Sequence, residues 1–142
     1  MIRKAEKNDT EAIMKIWLYT NIKSHSFISA DYWHSNFEMV KELIPCAEVY
    51  VYEDNCTNQI EGFIGFNDNH IEGIFVKEAV QSNGIGKQLL DYAKDIKSAL
   101  SLNVYQKNER AVRFYQRENF NIHCENIDDN TGEKEFAMIW KN

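Results

Sequence analysis

The sequence predicts an α/β domain: a mixed, mostly antiparallel sheet of about seven strands with four helices packed on its faces. Three observations lead there. Segments with apolar residues at helical spacing alternate with short runs rich in β-branched and aromatic residues. Three such runs in the middle of the chain are separated only by tight polar turns, the pattern of an antiparallel meander. The elements follow in the order β-α-α-β-β-β-α-β-α-β-β, and amphipathic helices beside strands must bury their apolar stripes on the sheet.

Ile2-Arg3-Lys4 reads as a short first strand. A helix follows from about Asp9, capped by Asp9 or Thr10, with Ile13, Ile16, Trp17 and Thr20 on one face. Ser24 to Ile28 is a loop. A second helix runs from about Asp31 to Leu43, with Trp33, Phe37, Val40 and Ile44 as its stripe, and Pro45 stops it. The meander comprises Glu48–Glu53, Ile60–Phe66 and His70–Val76. A third helix begins after the segment Gln81–Gly86 and reaches about Ser98, with Ile85, Leu89, Tyr92 and Ile96 on its apolar face. Leu100–Tyr105 is a strand, Asn108 to about Glu118 a helix, and Phe120–Ile127 and Glu135–Trp140 a closing hairpin.

Length and composition narrow the function. The 142 residues suit one domain, residues 1–142. Hydrophobic residues at 44% and charged residues at 27% exclude a disordered chain, and one Pro with six Gly leaves no linker. No apolar run is long enough for a bilayer, and Met1–Ala5 lacks the apolar core of a signal peptide, so a cytoplasmic protein with no membrane partner is expected. Cys46, Cys56 and Cys124 are odd in number and scattered, which predicts free thiols and no metal site. A net charge of −6 argues against nucleic acid and favours a cationic partner such as an amine. Monomer and dimer both fit.

The segment between Val76 and the third helix carries Gly84 and Gly86. A helix N-terminus exposes unbonded N–H groups and partial positive charge, and glycines let that backbone approach an anion, so the loop can cradle a pyrophosphate. Lys87 adds a charge. A P-loop is excluded: Gln81 stands where its first Gly is required and Gln88 where Ser or Thr is required. A dinucleotide fingerprint is excluded because the third Gly is missing. Gly84 and Gly86 can also serve a tight turn alone.

Gln81-x-x-Gly84-x-Gly86 does resemble the acetyl-CoA loop, Q/R-x-x-G-x-G/A, of the GNAT superfamily of N-acetyltransferases. Asn108, Ala111, Phe114, Tyr115 and Phe120 are similar to a second hallmark of that family, N-x-x-A-x-x-F-Y-x-x-x-G-F, in the right order and at the right distance. The likeness covers essentially the whole chain. His25-x-Phe27-Ile28, Tyr32-Trp33 and Asn103–Asn108 resemble small bacterial members, some of which acetylate peptide or protein amines. One departure is Asn119 in place of the last Gly; Asn tolerates the left-handed backbone needed after a helix.

The resemblance implies acetyl-CoA as acetyl donor and assigns residues to it. Ile74, Phe75 and Val76 would meet the pantetheine, their backbone N–H groups polarising the thioester carbonyl. Gln81, Ser82, Asn83, Gly84, Ile85, Gly86 and Lys87 would hold the pyrophosphate. Asn108, Ala111, Phe114 and Tyr115 would line the other wall, with Asn108 also capping its helix. Tyr115 would protonate the leaving thiolate; its alternative role is packing beside Phe114. An amine of pKa about 10.4 must also lose a proton. With a period of two along their strand, His70 and Glu72 share a face with Ile74 and Val76, which makes them the candidate bases; the alternative is solvated polar positions. His25 and Phe27 fall where family members build the acceptor pocket. The acceptor is open between a peptide or protein amine and a small amine, and a non-catalytic acetyl-CoA sensor is a third reading. A tRNA-directed enzyme fits the acidic charge poorly.

Overall fold

The computed structural model describes residues 1–142. Seven strands form one sheet: β1 (Ile2–Lys4), β2 (Glu48–Glu53), β3 (Ile60–Asn67), β4 (His70–Val76), β5 (Ala99–Tyr105), β6 (Asn121–Ile127) and β7 (Lys134–Lys141). Their order across the sheet is β1-β2-β3-β4-β5-β7-β6. Every neighbouring pair is antiparallel except β4 and β5. Four helices join them: α1 (Thr10–Ser24), α2 (Ala30–Leu43), α3 (Ile85–Ile96) and α4 (Glu109–Arg117). The element order and the fold class match the sequence reading. No helix is long and apolar enough to cross a membrane.

Each sheet face carries its own core. On one face α3 and α4 bury Leu89, Leu90, Val112 and Tyr115 against Ile64, Ile71, Leu100, Leu102 and Met138. On the other, α1 and α2 bury Ile13, Met14, Trp17 and Trp33 against Val49, Val51 and Phe63. Alternating side chains of one strand can serve both cores because the pleat points them oppositely.

Two expectations need adjustment. The buried arc of α3 is centred on Leu89 and Ala93 and takes in Leu90, leaving Ile96 42% exposed and Tyr92 on the flank against Tyr50. The helix also ends at Ile96, where Lys97 turns extended, short of Ser98.

Two local features open the functional cleft. The parallel pairing of β4 with β5 involves only His70 with Ser101 and Ile71 with Leu102. Beyond Ile71 the strands part, and the side of β4 that faces β5 has no ladder partner. The second feature is a β-bulge. Gly65 pairs with Gly73 and Phe66 with Ile71, so Glu72 is the extra residue.

Candidate active site

The bulge overturns the period-two reading of β4. Ile71 packs into the α3–α4 core, and so do Ile74 and Val76. Phe75 packs into the opposite core, stacked on Phe63 at 4.9 Å, and Gly73 points the same way, toward the Phe75 ring. The extra residue at position 72 resets the alternation, so His70, next to Ile71, falls on the face opposite Ile71, Ile74 and Val76. His70 Nδ1 lies 2.9 Å from Ser101 Oγ at the paired start of the strand. At about 3.3 Å per residue, that is roughly 13 Å from Ile74. Glu72 is exposed on the bulge.

The parting of β4 and β5 leaves a cavity of about 510 Å³. Its walls are Ile74 and Val76 on one side and Ala111, Phe114 and Tyr115 on the other, with Ile85 and Gly86 at the helix end. Gln81, Ser82, Gly84, Lys87 and Asn108 also line it. Twelve of the fourteen residues assigned to acetyl-CoA from the sequence therefore converge, 83 and 75 excepted. Asn83 does not line the cavity. The Phe75 side chain points away, so only its backbone can face the cleft.

The loop before α3 has the backbone the anion reading requires. Gly84 sits at φ +83° and Ser82 at φ +71°, both left-handed. Gly84 is the N-cap of α3, and its conformation suits Gly because a Cβ would be strained there. A Cβ on Gly86 would lie 3.8 Å from both Phe114 and Val76, with which it lines the cavity. The Gln81 amide donates to the Val76 carbonyl at 3.0 Å, closing the loop onto the end of β4.

Arg110 was not singled out by the sequence, because it occupies an unspecified position of the second motif. Its guanidinium donates to Gln81 Oε1 at 3.1 Å and to Ser82 Oγ at 3.2 Å, at the mouth of the cavity. Lys87 is shared between Asp91 and Glu118, at 3.0 and 3.2 Å. A larger groove of about 970 Å³ runs on from the cleft along α1, sharing Ser24, Gln81, Asn108 and Arg110 with it.

Tyr115 is buried at 8% exposure and lines the cavity. Burial alone pushes its phenol well above the usual value, so it holds its proton at neutral pH. Asn108 caps α4: its Oδ1 accepts from the Ala111 N–H at 3.4 Å, and its Nδ2 lies 3.3 Å from His25 Nε2. His25 is enclosed by Trp33, Phe27 and Tyr105, with ring centroids at 5.3, 5.7 and 5.0 Å. Burial pushes its pKa down to about 4. His25 and Phe27 thus belong to one aromatic group on the α1–α2 side, and neither lines the cavity or the groove.

Past Tyr105 the sheet opens to solvent, and every residue of β6 is exposed. Glu135 of β7 faces the same way as Tyr105, its partner in β5. The Tyr105 hydroxyl donates to Asp128 Oδ2 at 2.5 Å, and burial, with the nearby Asp128 charge as the second cause, raises the Glu135 carboxyl above its ordinary value. No group of three His, Cys, Asp or Glu side chains is placed to hold a metal ion.

A parted parallel strand pair, a glycine-rich loop at a helix N-terminus and a buried tyrosine in the cleft are the arrangement of an acyltransferase. Residues 45–122 match the model of the acetyltransferase (GNAT) domain. The chain is 32% identical to peptidyl-lysine N-acetyltransferase YiaC of Escherichia coli, over 99% of this chain and 96% of that protein. It is 29% identical to peptidyl-lysine N-acetyltransferase YjaB of the same organism, over 85% and 82%. The solution structure of apo YjaB superposes with a TM-score of 0.88 at 25% identity, covering 99% of this chain and 96% of that one. The chain belongs to the GNAT family and is an acetyl-CoA-dependent N-acetyltransferase.

Proposed function

We propose that the acceptor is a lysine side chain of a peptide or protein and that Tyr115 is the general acid. The observation that carries the acid role is the position of Tyr115, a buried, neutral phenol on the cavity wall opposite Ile74 and Val76. The acceptor class rests on the two relatives named peptidyl-lysine N-acetyltransferases and on the open α1–α2 side, where Asp128 and Glu135 offer negative charge to an ammonium.

Acetyl-CoA supplies an activated acetyl thioester. Gly84, Gly86 and the first turn of α3 bind its pyrophosphate, with Arg110 and Lys87 as cations at the rim. The unpaired backbone of Ile74–Val76 is available to the thioester carbonyl, where N–H donors stabilise developing negative charge. The lysine enters from the α1–α2 side and leaves its proton to water there, beside Glu135 and Asp128. Its free amine attacks the carbonyl carbon, the C–S bond breaks as Tyr115 gives its proton to the departing sulfur, and the second proton on the new amide nitrogen leaves through water and returns to the Tyr115 phenolate. His70 and Glu72 take no part in this scheme.

Acetylation assays with lysine peptides, free polyamines and amino acids test the reading. Peptide turnover far above that of free amines is expected, with His70→Gln and Glu72→Gln both within about two-fold of wild type. Preference for a free amine would replace the acceptor assignment. A loss of about a hundred-fold or more in Glu72→Gln would place the base on the bulge.

A further inference from the structure

We propose that His25 is a positioning residue: through its hydrogen bond to Asn108 it fixes the carboxamide that caps α4 and borders the acetyl-CoA cleft. The proposal rests on the reading of that cleft as the acetyl-CoA site.

The direction of the bond follows from the cap. Asn108 Oδ1 is committed to the Ala111 N–H. The group that faces His25 is therefore the Nδ2 amide, which can only donate. His25 Nε2 must accept, so the ring is neutral and carries its proton on Nδ1.

The ring cannot swing away from this task. Its face stacks on Trp33 at 28° between planes, and Phe27 and Tyr105 close on it edge to face. Its backbone is pinned on both sides, the His25 N–H to the Asn21 carbonyl at 3.0 Å and the His25 carbonyl to the Ile28 N–H at 2.9 Å.

Simple packing does not explain a histidine here. Nδ1 is buried without a hydrogen-bond partner. A buried N–H left unmade is costly, and a phenylalanine would fill an aromatic cage without that cost. What phenylalanine lacks is the acceptor atom for Asn108. The two residues are 83 positions apart, and their contact joins the α1–α2 loop, on the acceptor side, to the first turn of α4, on the cofactor side.

The test compares wild type, His25→Phe, His25→Gln, Asn108→Ala and the double variant His25→Phe/Asn108→Ala. Acetyl-CoA Kd, kcat and both KM values are measured together with the melting temperature. His25→Phe is expected to weaken acetyl-CoA binding about ten-fold while melting no lower than wild type. His25→Gln, which offers a neutral acceptor, should restore most of the affinity. In the Asn108→Ala background, His25→Phe should add nothing, because the two act as one unit. Unchanged acetyl-CoA affinity in His25→Phe, or independent multiplicative effects in the double variant, overturns the proposal while leaving the cofactor assignment intact. Failure of wild type to bind acetyl-CoA removes the cofactor assignment and the proposal with it. A readout that needs no variant is the ¹⁵N spectrum of the His25 imidazole: protonated Nδ1 and bare Nε2 are expected, and the opposite tautomer excludes the proposed bond.

Discussion

The Arg110 guanidinium holds Gln81 Oε1 at 3.1 Å, so the helix that follows β5 is tied to the glycine loop that precedes α3. The contact places a permanent cation beside the proposed pyrophosphate cradle and steadies the loop carrying it. Arg110→Gln should weaken acetyl-CoA binding by about 1–2 kcal/mol, or roughly five- to thirty-fold, with little change in melting temperature. Calorimetric titration measures it. Wild-type affinity in the variant would mean that the guanidinium serves the loop alone.

Tyr115→Phe removes one oxygen from a side chain that otherwise keeps its place in the α3–α4 core. Turnover should fall by about 10²–10⁴-fold, with acetyl-CoA affinity and stability close to wild type. A variant with normal kcat would show that the departing thiolate takes its proton from water.

Gly84 and Gly86 separate two effects by substitution. Gly84→Ala forces a Cβ onto a residue at φ +83° and should cost about 1–2 kcal/mol of stability, visible in a denaturant melt. Gly86→Val leaves ordinary helical backbone but fills the space between Phe114 and Val76. It should abolish acetyl-CoA binding while the fold survives. Binding retained in Gly86→Val would move the pyrophosphate out of this loop.

The buried neutral His25 makes stability fall in acid. Its folded pKa of about 4 lies below the unfolded 6.5, so the unfolded chain binds the extra proton first. Stability from this residue is whole above pH 6.5, declines as pH falls through the window, and is lost near pH 4, by at most about 3 kcal/mol. Denaturation at pH 7 and pH 4.5 should show a smaller difference for His25→Phe than for wild type. Equal differences would place the acid sensitivity in the carboxylates.

Asn119 stands at φ +71° directly after α4. Glycine meets that geometry with no Cβ penalty. Asn119→Gly should therefore raise stability by about 0.5–1 kcal/mol without altering kinetics. Destabilisation instead would mean that the greater freedom of glycine in the unfolded chain dominates.

Much of this protein was legible in its residues. Strands β2 and β4 and the order of all eleven elements follow from periodicity and turn chemistry, because side-chain alternation and polar turns are local signals. The convergence of the residues proposed to hold acetyl-CoA was legible because the two motifs specify backbone shape and small size at fixed spacings. The errors share a different cause. The bulge at Glu72 arises from how β4 pairs with β3, and no local pattern marks it, so strict alternation placed His70 on the face of Ile74 and Val76. Arg110 and the bond between His25 and Asn108 depend on elements far apart in sequence meeting in space.

The two-residue pairing of β4 with β5 has a mechanical consequence. The sheet is in effect two plates, β1–β4 and β5–β7, riveted at His70–Ser101 and Ile71–Leu102. A molecule in the gap touches Ile74 and Val76 on one plate and Ala111 and Tyr115 beside the other. In the proposed binding mode acetyl-CoA would act as a splint across the seam, stiffening the whole sheet when it arrives and releasing it when free CoA departs.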